Sequence, residues 1–351
     1  MTDDRRRDPM VDKALTDYTV EQTKALCAIP SPTGYTAEAV AHVERELAAM
    51  GWHPRRTVKG ALLCPLGGEG TGLLLSAHLD TLGLMVRSIK PNGRLRYEPL
   101  NGYSHFHAAT ENVTVFTRDG RTYTGTIQCD KPSVHVWGDT DKVGKDDGAM
   151  EVLLDEEVHD AEGVKALGIG PGDFIAYDAR TRLTPSGFLK SRHLDDKAGS
   201  ACLMALAKAV RQGIVTPRHT LWLYFTVHEE VGHGGAASIP AGVEEIVSVD
   251  MGAVGGDLGC DEYKVSICAK DSHGPYHNDT VNALIAAARA GGCDYAVDIY
   301  PRYGSDVDAA LTAGLDVRHG LIGPGVYASH GYERTHRKAL ANTVGLLLHF
   351  I

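Results

Sequence analysis

The clearest pattern along the chain is a set of short apolar runs that each stop at acidic or histidine residues. The run Thr220-Leu221-Trp222-Leu223-Tyr224-Phe225-Thr226-Val227 leads into His228-Glu229-Glu230, with Gly232 just beyond. Leu73-Leu74-Leu75-Ser76-Ala77 ends at His78-Leu79-Asp80, and Glu245-Ile246-Val247-Ser248-Val249 ends at Asp250. Runs this short and apolar read as strands buried on both faces, as in a parallel sheet. Around them, helical patterns are predicted over residues 19–28, 36–50, 198–211, 280–290 and 337–350. Proline and glycine separate the first two, and Gly213 and Gly291-Gly292 stop the next two. The last is amphipathic, with Leu340, Val344, Leu347 and Leu348 on or near one face.

The middle of the chain has a different rhythm. Residues 85–89 alternate, Pro91-Asn92-Gly93 makes a turn, and residues 94–98 alternate again, which predicts a hairpin with one wet face. Residues 113–116, 122–127 and 173–177 are further strand-like segments, with Gly170-Pro171-Gly172 as a turn. Strands without long helices between them predict a small, mostly antiparallel β module over residues 87–187. It is inserted into an α/β domain made of residues 1–86 and 188–351, with residues 1–17 read as a loose tail and 142–147 as a solvated loop.

At 351 residues, 43% hydrophobic and 23% charged, the chain is that of an ordinary globule. Lys+Arg 35 against Asp+Glu 45 gives a net charge of -10, which argues against a nucleic-acid partner. No stretch has the length of a membrane span, and no signal core follows the start. Seven cysteines without a CxxC pair, several in apolar runs, read as reduced buried thiols of a cytoplasmic protein.

The chemistry gathers where the strands end. In an open parallel sheet the ligand crevice lies outside the strands' carboxyl ends, so His78, Asp80, Glu229, Glu230 and Asp250 would meet in one crevice. Neighbouring buried carboxylates are costly without a compensating cation. A metal supplies one and divides the work: one Glu binds it and the other stays free as a base. Histidines mixed with carboxylates suit zinc, cobalt or manganese. The carboxylates are too many for one tetrahedral zinc, and two metals sharing a bridging Asp would use them all. In His78-x-Asp80 the carboxylate is placed to accept the ring's other N–H. Asp195-Asp196 precedes a helix, where it reads equally as an N-terminal cap. Asp250 could cap a turn, and His330, before the last helix, competes with His336 as a ligand. His105 and His107 read as loop residues, His273 and His277 carry no assignment, and glycine-rich 252–259 lacks a phosphate-loop ending.

Together, Ser76 to Val86, Asn92-Gly93-Arg94-Leu95, Leu194-Asp195-Asp196-Lys197-Ala198-Gly199, Thr226 to Gly232 and Gly304-Ser305-Asp306 resemble the M42 metallo-aminopeptidases. The resemblance covers nearly all of the chain after the tail. It implies an α/β zinc-peptidase-like mixed sheet flanked by helices, with an inserted small β-barrel-like domain that makes subunit contacts. It also implies two divalent metals per subunit, with zinc favoured over cobalt or manganese. Asp195 would bridge them, His78 and Asp250 would complete one site, and Glu230 and His330 the other. Glu229 would be the general base, Asp80 would orient His78, and a strained peptide bond would join Asp195 to Asp196. His228, Ser305 and Asp306 are expected on the substrate side. The family commonly forms homo-oligomers, dodecamers among them. The chain departs from the family's usual pattern at His228, where Gln is common, at His233-Gly234-Gly235, at His193, and in the early Glu333. Removal of N-terminal residues from short peptides is the expected activity. An M20-like deacylase or dipeptidase on N-acyl substrates is the enzymatic alternative, and a non-catalytic assembly protein is the alternative of another class.

Overall fold

The computed structural model describes residues 11–102, 104–143 and 148–351. The first ten residues of the expected tail, and most of the expected loop at 142–147, lie outside the described residues. Residues 13–17 are not tail: they form the first turn of helix Lys13–Cys27. Asp12 caps that helix, its carboxylate accepting from the Leu15 N–H at 2.7 Å.

The apolar runs are adjacent strands of one large mixed sheet. Thr220–Thr226, Gly72–His78, Val243–Val249 and Arg318–Tyr327 lie side by side in that order, all parallel. Leu73, Leu74, Leu75, Leu221, Leu223 and Phe225 are wholly buried, which is why these strands are apolar on both faces rather than alternating. Because the strands run in one direction, their carboxyl ends all open at one edge. Antiparallel strands such as Leu62–Gly67 and Glu333–His336 extend the sheet on either side.

Helices cover both faces. Leu194–Arg211 is apolar nearly all round (Ala198, Ala201, Cys202, Leu203 and Leu206 are fully buried) and packs against Lys13–Cys27 and Arg337–Phe350 as well as the sheet. Arg337–Phe350 has the predicted limits. The regular part of Leu194–Arg211 begins at Lys197, one residue before the predicted start, because Asp195 and Asp196 have non-helical backbone angles.

Six strands between Leu84 and Tyr177 close into a separate barrel. Its first hairpin pairs Leu84–Ile89 with Leu95–Pro99, and Val86 and Tyr97 face inward opposite each other. Gly93 turns it at φ +79°, a conformation that favours glycine. The barrel has its own apolar cluster, including Leu84, Val115, Ile127, Val152 and Ile175, distinct from that of the large sheet. The fold is thus a mixed α/β sheet flanked by helices, with a β-barrel emerging between two of its strands.

Candidate active site

The edge where the parallel strands end brings five predicted ligands together. His78 is the last residue of its strand, Asp250 directly follows Val249, and Glu230 lies in the short turn Glu229–Val231 after Thr226. Asp195 sits at the distorted start of its helix (φ -76°, ψ 107°), and its peptide bond to Asp196 is cis. His330 comes from the turn after strand Arg318–Tyr327, with φ 65°.

Donor atoms of His78, Asp195 and Asp250 lie within 4.8 Å of one another, and so do those of Asp195, Glu230 and His330. Asp195 belongs to both groups. Its two oxygens face different rings: Oδ1 is 3.0 Å from His78 Nε2, and Oδ2 is 3.5 Å from His330 Nε2. Both rings donate Nδ1–H to a backbone carbonyl, His78 to Asp80 at 2.8 Å and His330 to Gly102 at 2.9 Å. That leaves each Nε2 turned inward, the arrangement seen in metal-ligating histidines.

The electrostatics are those of a site built for cations. Burial, then the neighbouring Asp195, pushes Glu230 up to about 8 and Asp250 up to about 7. Burial also raises Glu229 well above the carboxylate range, with Asp250, Asp306 and Glu230 adding to it and His78 opposing. Against burial, Asp195 and Glu230 raise His330 to about 10. Glu230 Oε1 is buried with no hydrogen-bond partner among the described residues. Carboxylates in this state are costly unless a cation compensates them. The mixed nitrogen and oxygen donors fit divalent metal ions.

The remaining candidates sort by geometry. Glu229 is in neither group, and its Oε2 lies 3.8 Å from His78 Nε2. The Asp80 carboxylate does not take the His78 ring N–H, from which it is 3.7 Å away; the Asp80 carbonyl does, because the chain folds back just past the strand end. The carboxylate instead holds the Glu229–Glu230 turn, accepting from their N–H groups at 3.2 and 3.3 Å and from the Thr33 hydroxyl at 2.7 Å. His336 has both ring nitrogens engaged elsewhere, with Ser186 O and the Lys338 N–H, away from the donor groups.

A cavity of about 780 Å³ opens over the two groups. Ser305 lines it, whereas Asp306 is buried behind, accepting from the Thr226 hydroxyl at 2.5 Å. His228 is not on the lining; its ring stacks on His233, 4.9 Å away, and His233 is. Sequence reading missed Arg302, Tyr303 and Asp308 on the same wall, and the work of Glu333, whose two oxygens accept from the Asp195 and His330 N–H groups at 3.1 and 3.0 Å. Glu333 was visible only as an acidic residue oddly close to His330. Asp308 carries no signal in the sequence, since its pairing with Asp271 and His273 joins two segments more than thirty residues apart.

Comparison with known proteins places this arrangement. A family model for M42 glutamyl aminopeptidase matches residues 60–346. The putative aminopeptidase YhfE of Bacillus subtilis is 43% identical over 335 residues, covering 95% of this chain and 97% of that protein. Glutamyl aminopeptidase of Lactococcus lactis is 26% identical over 223 residues, 62% of this chain and 61% of its own. Among solved structures, a TET aminopeptidase from a marine-sediment thaumarchaeote superposes with a TM-score of 0.86 at 17% identity, covering 95% of this chain and 96% of that one. The TET1 peptidase of Pyrococcus horikoshii, which can assemble into a tetrahedron or a large octahedral shell, superposes with a TM-score of 0.82 at 22% identity, covering 94% and 98%.

The fold and the family match define a peptide hydrolase of the aminopeptidase class. Within that class, the chain belongs to the M42 aminopeptidase family.

Proposed function

We propose that this protein is a dinuclear metal-dependent aminopeptidase that removes N-terminal residues from short peptides. The observation that carries the reading is the shared position of Asp195 between two three-residue donor groups. His78 and Asp250 would hold one metal with Asp195, and Glu230 and His330 the other, with zinc the best fit and cobalt or manganese alternatives. When bound, such a pair supplies Lewis-acid polarisation of the scissile carbonyl and a hydroxide-like nucleophile.

The protein's own groups do the rest. Glu229 stands beside the donors without belonging to either group, so its carboxylate is free to take a proton from the attacking water and deliver it to the leaving amine. Asp80 holds the Glu229 backbone, which keeps that carboxylate aimed inward. The peptide's free amino terminus would be held by the acidic wall, and its first side chain would enter the cavity past Ser305 and Asp308.

The separate core of the barrel supports treating residues 87–187 as an inserted domain, and the assembling TET1 relative supports a homo-oligomer in which that domain makes subunit contacts. The seven free cysteines support a cytoplasmic setting, and no helix among the described residues is long and apolar enough to cross a membrane.

Metal-loaded and chelated protein should be assayed on free and N-acetylated aminoacyl amides and short peptides. Metal-dependent release from free N-termini alone is expected. Turnover of the acetylated series would instead establish a deacylase.

A further inference from the structure

One loop of the barrel reaches the metal-ligand candidates, and two consecutive residues of it each touch a different member of the same donor group. Asn101 donates from Nδ2 to Glu230 Oε2 at 3.0 Å, and the Gly102 carbonyl accepts from His330 Nδ1 at 2.9 Å. With a cation bound Glu230 is ionised, and a carboxylate accepts and does not donate, which fixes the end of the Asn101 amide that faces it. The same Oε2 lies 3.6 Å from His330 Nε2, so the amide holds the oxygen that stands beside the other ligand of that group, while Oε1 is buried with no hydrogen-bond partner among the described residues.

The loop is anchored on both sides of this contact. Before it, the Leu100 N–H donates to the Gly83 carbonyl at 3.0 Å. After it, Arg192, one of the largest fully buried side chains, donates to the His107 carbonyl and pairs with Glu111 at 3.2 Å. Arg180 pairs with Glu111 as well. Arg192 lies three residues before Asp195, so one rigid stretch ties the loop, the shared Asp195, and the Glu230 and His330 ligands together.

We propose that Asn101 is a positioning residue that selects the carboxylate rotamer of Glu230, so that the barrel sets the affinity of the Glu230–His330 metal site and leaves the His78–Asp250 site untouched. This rests on the two-metal reading above. Partners of metal-ligating side chains typically contribute about 10- to 100-fold in affinity.

The test is Co²⁺ titration of chelated full-length protein, followed by calorimetry and d–d absorption. Asn101→Leu keeps the branching and removes the donor. It should weaken one of two equivalents by about 10- to 100-fold and leave the other unchanged. Asn101→Ser, which keeps a donor, should weaken it less. Activity of the Leu variant should need correspondingly more Co²⁺ but recover to within a few fold of the parent kcat at saturation. Unchanged affinities in Asn101→Leu, or a parallel loss at both sites, would overturn the assignment. A parent protein that binds fewer than two equivalents would remove the two-metal reading instead, and is recognised before any variant is made.

Discussion

Replacing Glu229 by Gln isolates proton transfer from everything else in the site. The side chains are nearly isosteric, and the turn is held through backbone N–H groups by Asp80, which the change leaves alone. Glu229 is in neither donor group, so both metal equivalents should remain. Gln also relieves a buried carboxyl whose ionisation is disfavoured, so the melting temperature should not fall. What is lost is the positioned base, which typically contributes about 10²–10⁴ in rate. At about 1.36 kcal/mol per decade that is roughly 2.7–5.4 kcal/mol of barrier. Because the proton moves only in the transition state, kcat and kcat/KM should fall together with KM little changed. Steady-state kinetics on an aminoacyl amide, with metal content measured on the same samples, reads all of this. A loss of less than about tenfold, set against the range expected for a general base, would refute the assignment. Loss of one metal equivalent would make Glu229 a ligand.

Asp195→Asn should weaken both metal equivalents by more than about 100-fold, beyond the contribution of outer partners, whereas His330→Ala should weaken one; equal effects in a metal titration would contradict the sharing of Asp195. Chelated protein should lose thermal stability as pH rises from 5 to 8. Glu230 and Glu333 (about 8) and Asp250 (about 7) keep protons in the folded state that the unfolded chain has released, and His330 (about 10) acts in the same direction above its ordinary value, while buried His193 (about 3) opposes them below the ordinary histidine value, so the loss is steepest in the upper half of that window. Metal replaces those protons, and the loaded protein should show a flatter profile by scanning calorimetry; a chelated protein that gains stability toward pH 8 would overturn this account. Gly323→Ala should destabilise by about 3 kcal/mol or more through overpacking, since an added Cβ would stand 1.6 Å from the Asp250 carbonyl; a denaturant midpoint equal to the parent's would show that the strands can separate at no cost.

Periodicity and strand-end chemistry made the parallel strands, the helices and most of the ligand set legible. Apolar runs buried on both faces leave a strong local signature, and a histidine or carboxylate that ends such a run is conspicuous against it. Helix Leu194–Arg211 is regular from close to its predicted start, whereas Lys13–Cys27 begins six residues before its predicted start, because the acidic and capping residues there look like loop.

What the chain could not reveal from spacing alone was which atoms meet. His330 and His336 are alike as neighbours in a sequence; only the turn after Tyr327, held by Glu333, turns one inward while the other caps a helix. Asp80 was legible as the partner of His78, but whether its carbonyl or its carboxylate serves the ring depends on how the chain folds back past the strand. The Asn101 contact joins residues 129 positions apart, across a barrel and a sheet. The sequence by itself determined the elements and the kinds of donor, because those follow from local burial and residue chemistry. Tertiary structure alone decided their pairing, because a hydrogen bond depends on tenths of an ångström that only the packed strands and the anchored loop define.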